Sequence, residues 1–238
     1  MGIGGMEFTK AHVNGNDFVI VFQRPEGLDG ELARAIADRR YGVGCDQILF
    51  VQPMGRVYDV AIFNSDGTLA KMCGNGVCAV ASCVAAHCGH EDVDVTVRVC
   101  DTEYSIRVCR PGVTVGFPLP EPLGSGVVST GNKHVVVAMD EIGEVDSIST
   151  HHSECNLHFV SVMGDTKIRM KTFERGAGWT NACGSGAVAS VFSLGLKGRL
   201  EVQHDGGTSF VEIASDRVYL TVRPRIVFKG VLCEQGIV

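Results

Sequence analysis

No apolar run in the chain reaches the roughly eighteen residues that a membrane-spanning helix needs. An excess of positive charge is missing too. Twenty-one Lys and Arg stand against 27 Asp and Glu, a net charge of −6, so the basic footprint of a nucleic-acid or anionic-membrane binder is absent. There is no Cys-x-x-Cys pair of the kind that redox and zinc sites use. No glycine-rich stretch ends in Gly-Lys-Ser/Thr, which a nucleotide-phosphate loop would require. Residues 1–5 lack the charged and apolar regions of a secretory signal, and Met6 stands where a myristoylation signal has Ser or Thr. Met6 is itself a candidate start, with five residues as an upstream extension. Proline is scarce, and only Pro118, Pro120, Pro122, Gly124 and Gly126 form a proline-glycine-rich stretch, so a domain boundary is expected near residue 119. These absences predict a cytoplasmic globular protein of one large or two small domains, acting on a small molecule, with no nucleic-acid or membrane partner.

Cysteine is abundant instead. Ten occur, but disulfide scaffolds are short and secreted, and a chain of 238 residues with a 45% apolar fraction reads as a reduced protein. Cys73, Cys78, Cys83 and Cys88 recur at steps of five, which on a helix turns each about 140° from the last. They spiral rather than converge, so no metal cluster is expected, and most of the remaining cysteines read as small core residues.

One pattern organises the rest. Cys73-Gly74-Asn75-Gly76 precedes a helix-like run of small residues, and 110 residues later Cys183-Gly184-Ser185-Gly186 does the same. Nine residues before each cysteine a polar residue opens a glycine turn: Asn64-Ser65-Asp66-Gly67 in one, Glu174-Arg175-Gly176-Ala177-Gly178 in the other. Self-similarity of this length indicates two copies of one unit. Either cysteine alone reads as a buried core thiol; the duplication points instead to a functional pair. A thiol at a helix N-terminus is more readily ionised, and the amides there bind carboxylates. Two such thiols can remove the α-proton of an amino acid from one face and return one to the other, while preorganised amides stabilise the carbanion. That chemistry calls for no metal and no pyridoxal cofactor.

Periodicity predicts strands over 7–12, 17–22, 46–52, 57–63, 93–99, 104–109, 113–117, 134–139, 158–163, 167–173, 200–203, 209–213, 218–222 and 226–228. It predicts helices over 31–40, 75–88 and 185–196, the first burying Leu32, Ala35 and Ile36 and the last closed by Gly198. Many strands around few helices is an α+β pattern.

At these residues the sequence closely resembles the diaminopimelate epimerase family. The resemblance rests on Gly15-Asn16-Asp17-Phe18, Gly42-Val43-Gly44-Cys45-Asp46-Gln47, Phe63-Asn64-Ser65-Asp66-Gly67, Cys73-Gly74-Asn75-Gly76, Gly131-Asn132, Glu174-Arg175-Gly176-Ala177-Gly178 and Ala182-Cys183-Gly184-Ser185-Gly186. It implies two pseudo-symmetric domains, each a curved mixed sheet around a central helix, with the active site in the cleft between them. The first would comprise residues 1–119 plus a returning C-terminal strand, 225–238, and the second residues 120–224. It implies interconversion of LL- and meso-2,6-diaminopimelate without cofactor or metal, in lysine and peptidoglycan synthesis, and a homodimer with Phe228 at its contact. Cys73 and Cys183 match the proton-shuttling pair. Gly74, Asn75, Gly184 and Ser185 match the amides that hold the reacting carboxylate, and Arg175 the grip on the distal one. Asn16, Gln47, Asn64, Asn132 and Asn156 match the amide side chains around the substrate. His134 and Glu174 match groups that tune the thiols, Glu174 lying against the substrate as well. The chain departs from the family at Lys133, where proline is usual, and at Trp179, its one tryptophan, where glutamate is frequent; it is also shorter, near residues 118–131. The alternatives are a sister racemase for proline, hydroxyproline or histidine, and a thiol-rich redox or metal-binding protein. The first is disfavoured by Asn75 and Asn181, where such enzymes carry His and Asp; the second by the missing Cys-x-x-Cys.

Overall fold

A computed structural model describes residues 5–25 and 27–233; the reading of residues 1–4 as part of an extension, and the last five residues of the returning segment, lie outside them. In chain order the elements are β1 (Met6–Val13), β2 (Asn16–Val21), α1 (Gly30–Ala37), β3 (Gln47–Met54), β4 (Val57–Asn64), β5 (Leu69–Ala70), α2 (Gly74–Cys88), β6 (Val93–Val99), β7 (Thr102–Cys109), β8 (Gly112–Pro118), β9 (Glu121–Gly124), β10 (Val127–Ser129), β11 (Lys133–Ala138), a 3₁₀ turn (Met139–Glu144), α3 (Val145–His151), β12 (Asn156–Gly164), β13 (Lys167–Glu174), β14 (Gly178–Thr180), α4 (Gly184–Ser193), β15 (Arg199–His204), β16 (Gly207–Ile213), β17 (Arg217–Val222) and β18 (Arg225–Leu232). The chain divides into one unit of residues 1–13, 17–113 and 224–238, and another of residues 14–16 and 114–223.

In the first unit β2 runs parallel to β3, β3 antiparallel to β4, β4 antiparallel to β5 and parallel to β6, and β6 antiparallel to β7. β18 pairs antiparallel with β1. Helix α2 packs against β1, β3, β6, β7 and β18. Its residues are small because they are buried almost all round: Val77, Cys78, Ala79, Val80, Ala81, Cys83, Val84 and Ala85 are all covered.

The second unit repeats that ladder. β11 runs parallel to β12, β12 antiparallel to β13, β13 antiparallel to β14 and parallel to β15, and β15 antiparallel to β16. Helix α4 packs against β10, β11, β12, β16 and β17 and is again a run of buried small residues. The α+β class, with a curled mixed sheet around a central helix in each copy, follows directly.

Several local expectations need correction. Helix α1 stops at Ala37, not Arg40, and buries Ala33, Ile36 and Ala37, while Leu32 and Ala35 are only half-buried. The cause is Asp38, whose carboxylate accepts the Arg40 and Tyr41 amides and bends the chain into a turn. The Gly42 amide then donates to the Asp38 carbonyl at 3.0 Å. Helix α4 ends at Ser193, and Gly195, with φ 63°, takes the left-handed stop assigned to Gly198. Within the proline-glycine stretch β9 and β10 form an antiparallel hairpin that periodicity does not predict. The 3₁₀ turn and α3 were not foreseen, although α1 occupies the same place in the first copy. Among the eight other cysteines, Cys45, Cys78, Cys83 and Cys155 are buried, but Cys88, Cys100 and Cys233 are exposed and Cys109 is half-buried.

The loop that leads into β3 is tied down by charge. Arg39 bridges Asp17 at 2.7 Å and Asp46 at 2.8 Å, and Lys10 donates to Asp17 at 2.6 Å and to the Gly44 carbonyl. Burial works against the Asp17 charge, but the hydrogen bonds from Arg39 and Lys10 outweigh it and bring its carboxyl down to about 2. Gly42 is the steric key to this loop, because a Cβ there would lie 2.2 Å from the Ala35 carbonyl oxygen. Gly42→Ala is therefore expected to destabilise the fold by about 1–3 kcal/mol, measured as a lowered urea midpoint with an unchanged slope.

Candidate active site

The two cysteines of the repeat occupy one local geometry. Cys73 is the N-cap of α2, with φ −142° and ψ 105°, and its sulfur accepts the Gly76 amide at 3.3 Å. Cys183 is the N-cap of α4, with φ −132° and ψ 114°, and its sulfur accepts the Gly186 amide at 3.4 Å. An extended N-cap whose side chain accepts from the third helical residue is the arrangement Ser or Asp usually fills. A sulfur there sits in the positive end of the helix dipole, which favours its anionic form. Cys73 is half-buried and Cys183 is buried, 6% exposed, with the Ser185 hydroxyl 3.5 Å from its sulfur. Gly74, Asn75, Gly184 and Ser185 lie in these first turns, where helix geometry gives the amides no acceptor within the helix.

The core thiols contrast with this pair. Burial raises Cys45 and Cys83 to about 12, raises Cys78 further still, with the adjacent Cys73 adding to it, and raises Cys155 as well. Burial disfavours the thiolate at all four.

The other expected residues fall at strand ends and turns. In the first unit Gln47 opens β3 opposite Asn64 at the end of β4, and its amide donates to the Asn64 Oδ1 at 2.9 Å. Asn64 donates in turn to Thr68 at 3.0 Å. The Gln47 Oε1 is buried with no protein partner among the described residues, an acceptor left for something else. In the second unit Asn156 opens β12, and its Oδ1 accepts the Arg175 amide at 3.0 Å. Glu174 ends β13 and accepts the Thr180 hydroxyl at 2.6 Å. The Arg175 side chain is exposed. Asn16 is buried and opens β2, and Asn132 is half-buried in the turn before β11, where its carbonyl accepts the Thr130 amide at 3.0 Å. Trp179 is half-exposed, 5.7 Å from the Phe159 ring and 5.4 Å from the Phe173 ring. It lines a cavity of about 290 Å³ with Lys171, Thr180, Asn181 and Asp205.

His134 is fully buried, and its surroundings were not foreseen. Its Nδ1 lies 2.8 Å from Nε2 of His158, and its Nε2 lies 3.0 Å from the Thr130 hydroxyl. His158 Nδ1 lies 3.2 Å from the Thr172 hydroxyl. The two histidines and Cys183 have donor atoms within 4.8 Å of one another. Every ring nitrogen is engaged, so the cluster is a hydrogen-bonded chain rather than an open ligand set. His158 stands in a strand whose neighbours Leu157, Phe159 and Val160 are all apolar and buried, and nothing local in the sequence marks it.

Comparison with known proteins fits this geometry. The family profile described as diaminopimelate epimerase matches residues 8–117 and 126–227. The diaminopimelate epimerase of Alkalilimnicola ehrlichii is 33% identical, over 94% of this chain and 98% of that one; the Rhodospirillum centenum protein of the same name is 35% identical, over 95% and 92%. Among solved structures, a hydroxyproline epimerase from Agrobacterium vitis superposes with a TM-score of 0.72 at 12% identity, covering 98% of this chain and 95% of that one. A protein described as a predicted epimerase from Pseudomonas aeruginosa gives 0.70 at 15% identity, covering 95% and 99%; both show the shared fold.

Three buried imidazoles set a pH dependence. Burial holds His134 and His204 down to about 4 and His158 well below its usual range, with His134 and His204 adding to the effect on His158. Unfolded, each regains a value near 6.5. The unfolded chain thus binds more protons between about pH 6.5 and 4, and the stability held above 6.5 is lost as pH falls through that window, by up to about 1.4 kcal/mol per pH unit for each ring. Urea unfolding at pH 7.5 and pH 5 is expected to show this loss, and His204→Asn is expected to reduce its slope by about one proton; a flat profile would contradict it. With that matching profile over most of its length, and near-full-length relatives above 30% identity, the chain belongs to the diaminopimelate epimerase family.

Proposed function

We propose that this chain interconverts LL- and meso-2,6-diaminopimelate, with Cys73 and Cys183 as the two proton-transfer groups. The observation that carries the reading is the duplicated cysteine N-cap, in which two sulfurs accept the same first-turn amide in two copies of one fold. Proton transfer needs a base and an acid at once. One sulfur, as thiolate, takes the α-proton and becomes a thiol; the other, as thiol, delivers its proton to the opposite face and becomes a thiolate. The centre is inverted, atoms balance, and the enzyme ends with the roles exchanged.

The carbanion formed on the way is the costly species. First-turn amides at residues 74–75 and 184–185 direct their dipoles at the α-carboxylate and stabilise the charge that spreads onto it. Arg175, exposed on the turn after β13, supplies a planar fork for the distal carboxylate, a task that a point charge does less well. The same reading assigns Gln47 and Asn64 of the first copy, Asn156 and Glu174 of the second, Asn16 at the start of β2 and Asn132 in the turn before β11 to the two amino-acid ends, as amide and carboxylate partners. His134 lies beside Cys183 and tunes it.

The same reading places the enzyme in the cytoplasm, where its ten cysteines stay reduced. Among the described residues no helix is long and apolar enough to cross a membrane. The exposed Ile226, Val227, Phe228 and Val231 of β18 fit a second copy of the chain.

The test is α-proton exchange in deuterium oxide across a panel of amino acids that includes 2,6-diaminopimelate, proline and hydroxyproline. Only 2,6-diaminopimelate should exchange rapidly. Cys73→Ala and Cys183→Ala should each lower its epimerisation at least about a hundredfold with an unchanged fold; wild-type rates in either would end the two-thiol scheme. Arg175→Lys should raise KM by about tenfold while kcat changes little; an unchanged KM would remove the distal-carboxylate role.

A further inference from the structure

The duplication supplies an internal control for the buried histidines. In the first unit Phe18 of β2 lies beside Gln47 of β3, and Leu49 of β3 lies opposite Ile62 of β4. In the second unit His134 of β11 lies beside Asn156 of β12, and His158 of β12 lies opposite Thr172 of β13. The ladders match position for position, so the apolar set Phe18, Leu49 and Ile62 corresponds to the polar set His134, His158 and Thr172. The contact with the helix start matches as well. A Cβ on Gly76 would meet the Leu49 side chain at 3.0 Å, and a Cβ on Gly186 would meet the His158 ring at 2.0 Å. Packing behind the first turn is accomplished by hydrocarbon in one copy. The imidazoles of the other copy are therefore not needed for packing alone.

We propose that His158 is a positioning residue that locks the tautomer of His134 beside Cys183, so that the two rings and the hydroxyls of Thr130 and Thr172 form one neutral proton relay behind the second thiol. The inference deepens the two-thiol reading and rests on it for its kinetic consequence. The geometry fixes how the relay works. Only one proton fits between His134 Nδ1 and His158 Nε2 at 2.8 Å. If His134 carries it, His158 holds its own proton on Nδ1 and donates to Thr172, and Thr130 donates to His134 Nε2. If His158 carries it, His134 holds its proton on Nε2 and donates to Thr130, and Thr172 donates to His158 Nδ1. Threonine hydroxyls can do either. Any mixed arrangement sets two N–H groups or two lone pairs against each other between two fully buried rings, which costs a buried hydrogen bond. The rings thus share one tautomer, both Nδ1–H or both Nε2–H, and change only together. The matching positions of the first copy, Phe18, Leu49 and Ile62, carry hydrocarbon, so the two copies differ at these positions although their N-caps match.

Two measurements test this. In protein labelled with ¹⁵N-histidine, long-range proton–nitrogen correlations of His134 and His158, assigned with the variants below, should show the same single tautomer in both rings across pH 5–8. Opposite tautomers, or averaged nitrogens, would overturn the proposal without recourse to any variant. The second measurement uses isosteres. Glutamine places its terminal amide where Nε2 lies and keeps a partner for His134; asparagine places its amide where Nδ1 lies and keeps only Thr172. His158→Gln should retain kcat for 2,6-diaminopimelate within about threefold. His158→Asn should lose at least about tenfold in kcat with KM changed less than about threefold. Equal activity of the two variants, or the reverse order, would overturn the proposal. An inert wild-type enzyme would strike the substrate reading instead and leave the tautomer measurement standing.

Discussion

A sulfur atom that accepts a hydrogen bond from the amide three residues ahead is the contact on which the rest depends. It requires an extended cysteine, a helix starting immediately after it, and a glycine at the third position so that a neighbouring strand can press on the turn. Those demands explain the small-residue composition of α2 and α4, each surrounded by strands of its own unit. They also explain why the strand that opens with Gln47 and the strand that opens with Asn156 stand next to a helix start: each is the parallel partner that completes the ladder beside it. The amide-bearing side chains are thus placed by strand register, which is among the stiffest constraints a sheet imposes.

Much of this was legible in the sequence, because its signals are local. The Cys-Gly turns, the alternating strands and the polar residue nine positions before each cysteine are short-range patterns, and the elements around them fall within a few residues of where periodicity puts them. What failed was of two kinds. Helix ends moved where a side chain competed with the backbone: Asp38 took the amides that would have extended α1. The 3₁₀ turn, α3, and the hairpin of β9 and β10 escaped notice because they bury few residues and show little periodicity. The repeat itself held the missing clue for α3, since α1 fills the same slot in the first copy.

His158 escaped for a deeper reason. Nothing local distinguishes it from a strand residue with its side chain inward. Its meaning emerges only when β12 is set beside β11, so that the ring meets His134, and beside α4, so that it covers Gly186. Tertiary pairing of this sort leaves no trace in spacing. The comparison between copies makes it visible, because the same three positions carry hydrocarbon in one and imidazole or hydroxyl in the other.

The His158 ring constrains the identity of its neighbour. A Cβ at position 186 would lie 2.0 Å from the imidazole, so a side chain there needs a smaller residue at position 158 or a displaced ring. While the histidine keeps its place, the third residue of α4 is held to glycine by the strand behind it, and substitutions at the two positions are coupled.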